Sequence, residues 1–148
     1  MIDISVMSEQ SKIEIMLFIA KRAMEYLEED CFYDLLKKSI EACEEWYELK
    51  KYTGDYFYEI LDNEENGLAM LQDEMEDDGI IELWNCIINT IAFISRKAYE
   101  CEGIKYYPEP ILLVSDELIT ESIGCLVGFC KEEQKHLVEK YILLLERQ

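Results

Sequence analysis

The sequence predicts an all-α fold, a single-domain helical bundle of about six or seven helices around a buried central helix. Three observations predict it. Apolar residues recur at helical spacing along almost the whole chain, Gly, Asn and Asp clusters separate the periodic segments, and the only two prolines sit together at Pro108 and Pro110. With 148 residues, of which 50% are hydrophobic, the chain suits one domain over 1–148 and has enough apolar surface for one core.

The first helix is expected over about 8–29. Ile13, Met16, Leu17, Ala20, Ala23, Met24 and Leu27 share a face, and Ser8 suits the N-cap. Phe18 falls on the charged stripe with Glu14, Lys21, Glu25 and Glu28, where a second packing contact accounts for it. Over about 32–50, Phe32, Leu35, Leu36, Ile40, Cys43, Trp46 and Tyr47 lie opposite Asp34, Lys38, Glu41, Glu45 and Glu48, the pattern of a surface helix. Thr53 then caps a short helix with Asp55 in its first turn, and the DNEENG segment at 62–67 ends it.

Another short helix is expected over about 68–76, with Leu68, Leu71 and Met75 inward and Asp77, Asp78 and Gly79 forming the next break. The most apolar segment, 80–101, leaves only a narrow polar stripe of Glu82, Asn85, Asn89, Ala92, Arg96 and Glu100; this is the central helix. Residues 103–114 read as an extended connection packing Ile111, Leu112 and Leu113 over the helices. Ser115 caps the next helix, with Asp116 and Glu117 in its first turn and Val114 against Ile119 as a staple. That helix is expected to reach about Cys130, with close packing explaining Gly124 and Gly128, and a last helix to cover about 132–147.

Charge is unevenly placed. Between Lys51 and Arg96 there is no basic residue, yet eleven carboxylates: Asp55, Glu59, Asp62, Glu64, Glu65, Asp73, Glu74, Glu76, Asp77, Asp78 and Glu82. The net charge is -19, so more than half of it lies in this stretch. Such a field selects a basic partner and repels nucleic acid and anionic lipid. Asp55 serves a helix N-terminus and Glu82 belongs to the central helix, so the candidate partner-binding surface is Asp62, Glu64, Glu65, Asp73, Glu74, Glu76, Asp77 and Asp78. Tyr52, Tyr56 and Tyr58 nearby are candidate aromatic anchors.

The chemistry weighed against that reading is thinner. Residues 62–73 imitate a calcium loop, with Asp62, Glu64, Asn66, Gly67 and Asp73 at positions 1, 3, 5, 6 and 12. Asp73 is too short for the usual bidentate glutamate, and 68–73 already reads as helix. His136 is the sole histidine and falls on a helix surface, and the six cysteines form no CxxC pair, so no zinc site, no other metal and no cofactor is expected. The cysteines read as reduced core thiols. No catalytic residue is assigned, because there is no triad logic and no phosphate-cradling loop. The N-terminus lacks the pattern of a signal peptide, and no apolar run is long enough for a membrane span, which predicts a cytoplasmic protein without membrane contact.

Two segments, CEEWYELKKYTGDYFYEILDNEENGL at 43–68 and LWNCIINTIAFISRKAYE at 83–100, resemble the immunity protein 6 family of bacterial polymorphic toxin systems. Cys43 and Trp46, Gly54 and Asp55, residues 62–64, and residues 95–99 carry the resemblance. It implies an all-helical, non-enzymatic protein that binds and neutralises a toxin of the same bacterium or its kin. It assigns no contact residues; Trp46 and Trp84 read as packing positions, and Arg96 pairs with Glu100 one turn on. The expected partner is a basic toxin domain, with a nuclease cleft as one form of the region it would meet. Two rivals stand beside it: an acidic nucleic-acid mimic that blocks a DNA-binding protein, and a small helical enzyme using paired carboxylates. Oligomeric state is not predicted.

Overall fold

A computed structural model describes residues 3–146, apart from the side chains of 131–134 and 146. After a 3-10 turn at Ile4–Val6 come α1 (Glu9–Met24), α2 (Tyr33–Leu49), α3 (Gly54–Asp62), α4 (Leu68–Asp73), α5 (Asp78–Glu102), α6 (Glu109–Leu112) and α7 (Glu117–Glu146). The described residues contain no strand. None of their helices is long and apolar enough to cross a membrane.

The helix starts follow from short polar side chains. Ser8 Oγ accepts from the amide of Ser11 at 3.0 Å, Thr53 Oγ1 from that of Tyr56 at 3.1 Å, and Asp77 Oδ1 from that of Ile80 at 3.1 Å. Each satisfies an amide that the helix itself leaves without a partner, a contribution of about 1 kcal/mol. Helix ends use the left-handed region: α5 stops at Gly103 (φ 75°) and α2 at Lys50 (φ 53°).

α5 is the central helix and packs against every other α-helix. Leu83, Trp84, Cys86, Ile87, Ile91, Phe93, Ile94 and Ala98 are all buried on it. α1 accompanies it, buried on most of its circumference and wedged between α5, α2 and α7. Burying one side chain the size of Phe57 or Ile87 contributes about 1.5–3 kcal/mol, so this single hydrophobic cluster supplies the main driving force. Polar groups inside it are paired: Thr90 Oγ1 bridges the carbonyls of Met16 and Cys86, linking α5 to α1. Phe18 stacks on Tyr141 of α7, centroids 4.1 Å apart, which is the second packing contact.

Several expectations need correcting. α7 is one helix of 30 residues rather than two; the expected end at Arg147 lies outside the described residues. A Cβ on Gly124 would meet nothing within 4 Å, so close helix packing does not explain that glycine, whereas one on Gly128 would come within 3.3 Å of the Glu82 carboxylate of α5. α4 ends at Asp73, and Asp77 closes the break as the N-cap of α5, which already contains Asp78 and Gly79. The connection before α7 contains a short helix that buries Ile111 but leaves Leu112 and Leu113 exposed. Nor are all six cysteines core thiols: Cys31 lies exposed in the turn before α2 and Cys101 at the exposed last turn of α5.

Candidate functional site

The N-terminus of α3 is clamped onto the second half of α5. Ser95 Oγ donates to the Gly54 carbonyl at 2.9 Å, and the Gly54 amide donates to Glu102 Oε1 at 2.8 Å. The Tyr99 ring lies where a Gly54 side chain would be, and its hydroxyl donates to Asp55 Oδ1. Burial, and then that carboxylate, push the Tyr99 hydroxyl's pKa up. Tyr107 leans against Tyr99, and the Arg96 guanidinium sits 4.3 Å from the Tyr107 ring centre. Arg96 Nε also donates to Glu100 Oε1 at 2.9 Å, and another of its nitrogens to the Leu112 carbonyl at 3.2 Å, tying α6 to α5. Residues of 54–55 and 95–99 thus form one contact.

The acids divide between two turns. Asp62, Glu64 and Glu65 lie around the α3–α4 turn, which Asn63 builds by accepting from the amides of Glu65 and Asn66 with its side-chain oxygen. Gly67 closes it, since a Cβ there would fall 2.6 Å from the Asn63 carbonyl oxygen. This Asn63 turn and α4 occupy the segment that imitates a calcium loop. Asp73, Glu74, Glu76, Asp77 and Asp78 lie around the α4–α5 turn. All eight candidate carboxylates are exposed. Among the described residues the acids in salt bridges are Glu9, Glu25, Glu44, Glu45, Glu100 and Asp116, and none of the eight is among them.

Three depressions accompany these turns. A groove of about 510 Å³ between α2 and α3 is lined by Leu35, Asp55, Tyr56, Glu59, Ile60, Asn63 and Asn66. Glu59 and Asn63 also belong to an adjoining acidic hollow with Asp62, Glu64 and Glu65. A third, of about 380 Å³, is lined by apolar Phe32, Leu71, Met75 and Ile80 together with acidic Asp30, Glu74, Glu76 and Asp77. Its wall is fixed by Trp84, fully buried, whose Nε1 donates to Asp30 Oδ2 at 3.0 Å.

The candidate tyrosines have different fates. Tyr56 is 42% exposed and stacks on Tyr52, centroids 4.2 Å apart. Tyr52 and Tyr58 pack against the core, and the Tyr58 hydroxyl donates to Asp62 Oδ2. Trp46 is buried, with the Lys50 ammonium 4.2 Å from its ring centre. Leu35 was placed on the core face by its spacing, yet it is 36% exposed and helps to line the first groove. Only its neighbour Leu36 is buried, and no sequence signal separates the two.

A family model described as Immunity protein Imm6 matches residues 11–129. The chain belongs to the Imm6 family of immunity proteins. The Imm6 match runs from the first turn of α1 to the middle of α7, so it includes the clamp on Gly54 and both acidic turns. No curated protein and no solved structure matches the chain. Imm6 membership makes this a protein acting against a toxin, in an all-α fold.

Proposed function

We propose that the chain neutralises a cognate toxin by docking the acidic surface of Asp62, Glu64, Glu65, Asp73, Glu74, Glu76, Asp77 and Asp78 on a basic region of that toxin, of which a nuclease cleft is one kind. One observation carries this reading: eight exposed carboxylates with no salt bridge among the described residues, in a stretch without a single base. Among the described residues no cation offsets their mutual repulsion. Complementary charge raises association rates toward about 10⁸ M⁻¹s⁻¹ at low salt, which suits the capture of an enzyme lethal to its own cell. The proposed setting is the cytoplasm, without a cofactor and without catalysis.

The acids gather at turns on either side of a six-residue helix, rather than along an extended face, which weighs against mimicry of a phosphate backbone. They are also exposed, whereas acid/base catalysis wants a carboxyl shielded from water so that its pKa approaches neutrality.

The test is stopped-flow association with an inactivated toxin domain encoded beside this chain. Asp77 caps α5, so the reversals belong at Glu64, Glu65, Asp73 and Glu74, all to Lys. The expected result is association slowed tenfold or more at low salt, a flatter salt dependence, and an unchanged melting curve. Unchanged association rates would refute the acidic surface.

A further inference from the structure

We infer that the groove between α2 and α3 receives an arginine side chain of the toxin, an inference that rests on the immunity reading above. The groove is lined by Leu35 and Ile60, against which a methylene stem can lie, and by the exposed carboxylates of Asp55 and Glu59. No base is among its lining residues. Asp55 and Glu59 stand four residues apart on α3, so they share a face, and two like charges at that spacing repel each other until a cation comes between them.

The groups are held in place beforehand. Asp55 is held by the Tyr99 hydroxyl, and Glu59 by the Asn63 side-chain amide at 2.9 Å. Tyr56 presents a partly exposed ring that is held by a stack on Tyr52, tilted by only 15°, and by an edge-on contact with Phe57. Little side-chain freedom is therefore lost on binding. Arginine fits better than lysine. Its planar fork can engage two carboxylates and lie flat on an aromatic face, and it sheds water more readily than an ammonium group. The acidic hollow that shares Glu59 and Asn63 extends the same negative potential outward and draws the cation towards the groove.

The experiment is calorimetric titration of the inactivated toxin domain encoded beside this chain into three proteins: the wild type, Leu35→Trp and Glu59→Gln. Leu35→Trp fills the groove without changing charge, at a side chain already exposed to solvent. Both variants should bind at least tenfold more weakly, with a flatter salt dependence and unchanged melting curves. An arginine-to-alanine scan of the toxin should find one residue whose loss costs the wild type tenfold and costs Leu35→Trp nothing further, the mark of coupled partners. Wild-type affinity in both variants, or coupling to a lysine, would overturn the groove and leave the immunity reading standing. No binding or inhibition by the wild type would overturn both.

Discussion

The Tyr99 ring occupies the space beside the Gly54 backbone so fully that a β-carbon on Gly54 would fall 2.5 Å from its ring carbons. That is a collision with the body of an aromatic ring, and Tyr99 is itself buried and bonded to Asp55. Gly54→Ala should therefore destabilise the fold by about 1–3 kcal/mol, the usual cost of overpacking, measured as a lower urea midpoint. An unchanged midpoint would mean that α3 can shift away from α5 at no cost.

Trp84 offers a second test of packing against polarity. Trp84→Phe keeps most of the apolar volume but removes the hydrogen bond to Asp30, which also holds the amide of Phe32. A bond to a charged acceptor contributes about 1.5–3 kcal/mol, and Asp30 is half-exposed, so a loss near the lower figure is expected in urea unfolding.

Glycine 124 should behave in the opposite way from Gly54. It sits in the middle of α7 with open space where its side chain would be. Gly124→Ala should stabilise the protein by up to about 1 kcal/mol, visible as a higher melting temperature. A decrease would show that something outside the chain occupies that space.

The acid limb of stability should depend on Glu9. Lys97 chiefly, and Lys12 in addition, hold its carboxyl below the ordinary 4.5 against the opposing effect of burial. A depressed folded pKa stabilises fully above the unfolded value and is lost as pH falls through the folded one. The melting-temperature gap between wild type and Glu9→Gln should therefore be largest near neutrality and shrink between about pH 5 and 3. A gap constant over that range would count against the ion pair as its source.

The fold was legible where one local rule decided the outcome. Ser8 and Thr53 have the short oxygen an N-cap needs, and both serve as caps. The apolar circumference of 80–101 marked a helix enclosed on nearly every side. Reading failed where two local rules competed or where a partner was distant in sequence. Asp77 looked like part of a break because Gly79 follows it, but an aspartate before an apolar helix is also a cap. Gly124 and Gly128 suggested close helix packing, yet only Gly128 has a side chain of another helix, Glu82, close against it. Residues 54–55 and 95–99 stood out in the family resemblance, but that they touch is set by the packing of α3 on α5. The groove is least legible of all, because it exists only between helices: Leu35 comes from α2 and Tyr56, Glu59 and Ile60 from α3.

The salt bridges of the described chain stand apart from its densest run of acids, and this has an evolutionary consequence. Substituting Glu64, Glu65, Asp73, Glu74 or Glu76 breaks no ion pair among the described residues and removes an exposed side chain, so such changes cost little stability and even relieve repulsion. The clamp of Gly54, Ser95 and Tyr99 has no such latitude. A lineage can therefore redraw the charged surface to follow a changing toxin while the framework beneath it stays fixed.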